Sequence, residues 1–143
     1  MLHPTLYTKF LGFLIKDGKK KKAKAILDKA LLIVSKKTGY SLIFILLKVF
    51  LNLNTFVEAR HIRIKRRTHI VPFPISFKRR SYLILKWLII GVKANKKKMA
   101  FSLKLAKEIF LIFKKSTTSQ ALKLQKINNK KANSNRSNIH FRW

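Results

Sequence analysis

Runs of cations carry most of the chemistry open to this chain. Lys19, Lys20, Lys21 and Lys22 are consecutive, as are Lys78, Arg79 and Arg80, and then Lys96, Lys97 and Lys98. Arg60, Arg63, Lys65, Arg66 and Arg67 crowd a fourth short stretch with no acid among them. Arg136 and the closing His140-Phe141-Arg142-Trp143 form a fifth, in which an aromatic pair flanks a guanidinium. Ammonium groups act as point charges for phosphate oxygens, and guanidinium forks match them in pairs. An aromatic beside an Arg can stack on a base or dock on the protein's own body. Catalytic constellations are missing. There is no Cys, so disulfides, thiolate-held zinc and thiol catalysis are excluded. The four acids, Asp17, Asp28, Glu58 and Glu108, are scattered, which disfavours paired-carboxylate or two-metal hydrolysis. His3, His61, His69 and His140 have no clustered acids or Cys to complete a metal site. Neither an enzyme nor a cofactor nor a metal is expected.

Each cluster has a bland alternative. Lys19–Lys22 could be a solvated helix end, and a charged hairpin edge also deters aggregation. Cations at a helix start oppose the macrodipole, however, and that arrangement occurs at both Lys19–Lys22 and Lys78–Arg80. A phosphate ligand would reverse the penalty, because helix-start amides and ammonium groups then converge on one anion. The whole chain points the same way. Its 143 residues carry 34 Lys+Arg against 4 Asp+Glu, a net charge of +30, yet 48% are hydrophobic. A disordered basic tail lacks such apolar content. A compact body with this charge repels itself. A polyanion resolves the repulsion: nucleic acid first, and as the alternative an anionic membrane bound by a cationic amphipathic protein.

The elements that must position these cations are mostly helical. Leu6, Phe10, Phe13 and Leu14 recur at helical spacing over Thr5–Ile15, and Asp17-Gly18 supplies a stop. A second helix, Lys21–Ser35, has the stripe Ala23, Ile26, Leu27, Ala30, Leu31 and Val34 before Thr38-Gly39 breaks it. Ser41 caps a third, to about Leu53. The period then changes. Residues 57–64 and 68–75 are two β-branched runs around Lys65-Arg66-Arg67, which predicts a hairpin with Pro72 and Pro74 at a free edge or beyond the pairing. Ser81–Ala94 predicts a central helix, apolar nearly all round. Asn95–Lys98 is a basic loop. Met99–Lys115 predicts a fifth helix with Leu103, Ala106, Phe110 and Phe113 along its apolar side. Gln120–Phe141 predicts a weaker sixth helix or partly irregular tail. The expected fold is mainly α: one domain over 1–143, six helices, a hairpin arm at about 57–75 protruding between the third and fourth helices, and a polar C-terminal segment at about 120–143.

Thr38–Val57 has Lys48 as its single charge and is long enough to span a bilayer, but Asn52 and Asn54 favour a buried core helix. Met1–Phe10 is followed by no small-residue cleavage site, so no secretory leader is expected.

These residues resemble the bacterial-type small-subunit ribosomal protein seven family. That resemblance rests on Asp17-Gly18-Lys19-Lys20 closing the first helix, then Ala23 and Ala30-Leu31. It continues through Val57-Glu58-Ala59-Arg60, Arg63-Ile64, Thr68 and Val71-Pro72, then Arg79-Arg80 and Lys86-Trp87. Met99-Ala100, Leu105-Ala106-Lys107-Glu108, Asn135-Arg136 and His140-Phe141-Arg142-Trp143 complete it. Lys65-Arg66 stands where the family has Gly-Gly, so a tight primed turn is not expected there. The family's basic N-terminal arm and its C-terminal extension beyond Trp143 are expected to be missing. The resemblance implies six helices and a hairpin arm. It also implies binding to the 3′ major domain of the small-subunit rRNA, nucleation of head assembly, and an arm near the exit-site tRNA and mRNA path beside head and platform proteins. The Lys- and Arg-rich clusters named above become the expected rRNA contacts, with Arg60, Arg63, Lys65, Arg66 and Arg67 on the arm. Abundant Lys, Asn, Ile, Leu and Phe with few Gly and Pro suggest an AT-rich organellar gene, hence a mitochondrial ribosome and no membrane partner.

Overall fold

The computed structural model describes residues 3–96 and 98–142, with side chains from Leu6 onward. Six α-helices and a two-stranded ribbon follow the expected order: α1 His3–Leu14, α2 Lys20–Thr38, α3 Leu42–Asn52, β1 Val57–Ile64, β2 Arg67–Pro74, α4 Phe77–Ala94, α5 Phe101–Phe113 and α6 Gln120–Ser134. A 3-10 helix, Arg136–Phe141, closes the described chain. Within the span expected as a weak sixth helix or partly irregular tail, the α-helix ends at Ser134 and a tighter 3-10 turn takes over from Arg136.

Local chemistry accounts for most boundaries. Asp17 and Gly18 both hold positive φ, 53° and 68°, and separate α1 from α2. Gly39, at φ 74°, ends α2 by donating its N–H to the Ser35 carbonyl, so the helix runs through Thr38 rather than stopping at Ser35. The Ser41, Ser76 and Ser119 hydroxyls each accept a first-turn amide, from Phe44, Arg79 and Leu122 respectively. α2 has no such cap: Lys19 holds the position without a side-chain hydrogen bond.

The core gathers one stripe from each helix. Phe10, Leu27, Leu31, Ile45, Leu53, Leu85, Leu88, Leu105, Ile109 and Ile112 are fully buried. α2 packs on α5, and α4 lies between α5 and α6. One expected stripe is corrected. On α5 the core side is Leu105, Ile109 and Ile112 with Ala106, whereas Leu103 is exposed and Phe110 half-buried. Two apolar stripes share this helix, and the four- and three-residue steps from Leu105 to Ile112 are the ones turned into the core. That face also buries Glu108, which accepts the Ser119 hydroxyl at 2.7 Å and the Ala121 amide at 3.0 Å. A carboxylate thus terminates α6 where its amides and dipole favour negative charge. Gly91 makes room for it, since a Cβ there would stand 2.9 Å from Glu108 Oε1.

The ribbon is antiparallel with Val57 opposite Pro74 and Ile64 opposite Arg67. Arg67 is therefore a strand residue, and the turn is only Lys65-Arg66. A two-residue turn forms without glycine because Lys65 takes φ 53°, a backbone conformation costing about 1 kcal/mol or more for an L side chain. Pro72 and Pro74 lie inside the register, opposite Ala59 and Val57. They are tolerated because in a two-stranded ribbon alternate residues turn their amide positions away from the partner strand, where no ladder bond is needed.

Candidate nucleic-acid interface

Glu58 on β1 organises the base of the ribbon. It is 8% exposed and takes a bidentate pair from Arg79 on α4, with Nη2 at 2.7 Å and Nε at 3.1 Å. Arg60 on the same strand reaches the same carboxylate at 3.0 Å. The Arg79 hydrogen bonds, reinforced by Arg60, hold the Glu58 carboxyl below the usual carboxylate range against the opposing cost of burial. One acid thus gathers two cations that were expected only as RNA contacts. The signal was available, since Glu58 is the single acid in the basic ribbon Val57–Pro74, but its partner lies 21 positions away.

Both edges of the ribbon are held by the C-terminal segment. Asn128 on α6 mimics a neighbouring strand on the β1 side: its amide donates to the Val57 carbonyl at 2.8 Å and accepts the Ala59 amide at 3.2 Å. On the β2 side, Asn138 donates to the Ile70 carbonyl at 3.0 Å, and Arg142 Nε donates to the Pro72 carbonyl. Phe141 lies against His69, ring centroids 4.9 Å apart. The aromatic end thus docks on the ribbon. Trp143, expected beside it, lies outside the described residues.

Cations and aromatic rings interleave around this base. The Arg80 guanidinium lies 4.4 Å from the Phe56 centroid, Arg60 5.4 Å from Phe73 and Arg79 5.1 Å from Tyr82. Lys9 of α1 is 5.5 Å from Phe77, and Lys86 is 6.0 Å from Tyr82. Since Lys9 meets Phe77 and Phe13 meets Tyr82, α1 and α4 run side by side in the same sense. Lys9, Phe56, Phe77, Tyr82 and Lys86 were not anticipated as site residues, although aromatics beside Lys or Arg at helical spacing were visible in α4.

The remaining clusters are spread out. Lys78 is exposed beside Arg79 and Arg80. Lys96 and Lys98 are exposed at the other end of α4, whose 18 residues separate them from Lys78 by roughly 27 Å; Lys97 lies outside the described residues. Lys19, Lys20, Lys21 and Lys22 project from the start of α2, all exposed. Arg63, Lys65, Arg66 and Arg67 are exposed toward the ribbon tip, and Arg136 is exposed at the start of the 3-10 helix. The structure therefore joins Arg60, Arg79, Arg80 and Arg142 around the ribbon base and leaves the other clusters apart from it. Among the described residues no group of His and acids could hold a metal, and no single helix is long and apolar enough to cross a membrane.

A helical body with a cation–aromatic face and a charged ribbon is the build of a protein that seats on a folded polyanion. Comparison with known proteins is consistent with that class. The family described as Ribosomal protein S7p/S5e matches residues 2–136. Small ribosomal subunit protein uS7 of Fervidobacterium nodosum is 33% identical over 138 residues, spanning 96% of this chain and 87% of that protein. Its namesake in Thermosipho melanesiensis is 31% identical with the same coverage, and that of Metamycoplasma arthritidis 33% with 86% of its length covered. The chain belongs to the Ribosomal protein S7p/S5e family.

Proposed function

We propose that this chain is a structural constituent of the mitochondrial small ribosomal subunit, binding the 3′ major domain of its rRNA and organising the head. Family membership across nearly the whole chain, together with a net charge of +30, carries this reading. The mechanism is counterion release with shape recognition: separate elements neutralise phosphates where RNA helices meet, and so fix their mutual orientation. No catalytic step is involved. About eight phosphate contacts give a salt slope of roughly −6 to −7. The arm lies by the exit-site tRNA and mRNA, and head and platform proteins are its neighbours. The mitochondrial assignment draws on the Lys-, Asn-, Ile- and Phe-rich, Gly-poor composition.

The test is binding of the purified chain to a transcript of the 3′ major domain, with anionic vesicles as competitor. Tight, salt-sensitive binding that vesicles do not displace is expected, weakened by charge reversal at Lys20, Lys21 and Lys22. Indifference to the transcript, or transfer to vesicles, overturns the reading. Sedimentation of the chain away from small subunits in mitochondrial extracts overturns the cellular assignment. For the arm, Lys65→Gly with Arg66→Gly keeps the turn, because glycine accepts the positive φ. Heads should still assemble while tRNA or mRNA handling at the exit side changes; failed head assembly would count against this role.

A further inference from the structure

A groove of about 220 Å³ lies between the end of α3 and the start of α4, lined by Leu51, Phe77, Arg80, Ser81 and Ile84 among others. Leu51 and Phe77 are 68% and 51% exposed, and Phe56, beyond Arg80, is 64% exposed. Exposed apolar side chains gathered around one groove, rather than scattered singly, mark an interaction surface. Arg80 links the two rings: it lines the groove with Phe77 and lies over Phe56. Its Nε is buried and has no hydrogen-bond partner among the described residues, whereas the neighbouring Arg79 is satisfied by Glu58. Lys9, over the Phe77 ring, adds a cation at the rim, Lys78 is an exposed cation one residue on from Phe77 along α4, and no acid is among the lining residues.

Exposed rings, a stacked guanidinium and a nearby ammonium group are the complement of an unpaired nucleotide, with a π-face for the rings and a phosphate for the cations. An apolar peptide would fill the groove but leave these charges facing nothing. We propose that this groove holds one unstacked nucleotide of the bound RNA, its base against Phe77 and Leu51 and its phosphate at Arg80 and Lys9. The site deepens the RNA-binding function above and rests on it.

The experiment compares wild type with Phe77→Leu, Phe56→Leu and Lys78→Ala, each bound to the 3′ major domain transcript across a salt series. Leucine keeps apolar bulk and removes the π-face at positions exposed enough to spare the fold, and circular dichroism checks helix content. Phe77→Leu should weaken binding roughly five- to a hundredfold with an unchanged salt slope, as lost stacking does. Phe56→Leu should act in the same direction through the Arg80 stack. Lys78→Ala should instead flatten the slope by about 0.7–0.9. If both leucine variants bind like wild type while Lys78→Ala flattens the slope, RNA binding stands and the nucleotide site falls, leaving the groove to a polypeptide. If the leucine variants change the slope as the lysine variant does, stacking is equally refuted. If wild type ignores the transcript, both the site and the function beneath it fail.

Discussion

Single side chains decide whether a cation here belongs to the fold or to a partner. Arg79 and Arg80 are adjacent in sequence, but Arg79 is consumed by Glu58 and Arg80 is not. From sequence alone, reversing both to Glu should abolish RNA binding with helix content intact. The structure changes that expectation, because Glu at 79 would remove the 2.7 Å pair with Glu58, turn a second carboxylate toward it and loosen the ribbon base. Glu58→Gln should cost about 1–3 kcal/mol, a partly exposed pair being worth less than a fully buried one, as read by urea unfolding. The pH dependence has a definite sign. A carboxyl held low in the fold stabilises above its unfolded value, near 4.3, and that contribution disappears as pH falls through the folded value. Wild type should lose stability across that acid window, and Glu58→Gln should lose less. Tyr7 behaves oppositely. Burial first, and its 2.6 Å hydrogen bond to Asp28 second, push its phenol up to about 12. Stability held below pH 10 should fall as pH rises toward 12, more in wild type than in Tyr7→Phe. The Tyr7 phenol should ionise late in an ultraviolet titration, and Tyr7→Phe should remove that late phase.

At the scale of elements, the ribbon stands because its register keeps cations apart. Arg60 faces Val71, Arg63 faces Thr68 and Arg67 faces Ile64, so no two cations sit directly opposite. A one-residue slip would disturb all three pairs. Its base is fastened by Asn128, Asn138 and Arg142, which satisfy strand groups that an isolated hairpin would leave to water. Asn128→Ala should raise hydrogen exchange at Ala59 while helix-core amides stay protected, and unchanged exchange there would refute the strand-edge role. The junction of α4, α5 and α6 is tighter. Gly91→Ala would press on Glu108 and on the Ala121 backbone 3.1 Å away, so a loss of about 1–3 kcal/mol is expected in denaturant unfolding. A neutral or stabilising Gly91→Ala would show that α6 can shift freely.

For the whole molecule, charge dominates. Thirty uncompensated positive charges surround a well-filled core. Screening relieves self-repulsion within a Debye length, and a polyanion that binds only the folded state stabilises it by mass action. The midpoint of thermal unfolding should therefore rise with salt and rise further with polyphosphate or RNA at constant ionic strength. A midpoint insensitive to both would contradict the charge argument.

The helix stripes of α1 and α2, the Ser41 cap, the hairpin and the cation clusters were legible in the chain because each rests on local spacing or composition. Ala23, Leu27, Leu31 and Val34 are buried as their period requires. Tertiary structure alone chose among residues of equal local merit. It selected Leu105 over Leu103, buried Glu108 under α6, paired Glu58 with Arg79 and left Arg80 open. Those choices depend on contacts between positions far apart in sequence, where periodicity carries no information and only packing and charge pairing in three dimensions select the partner.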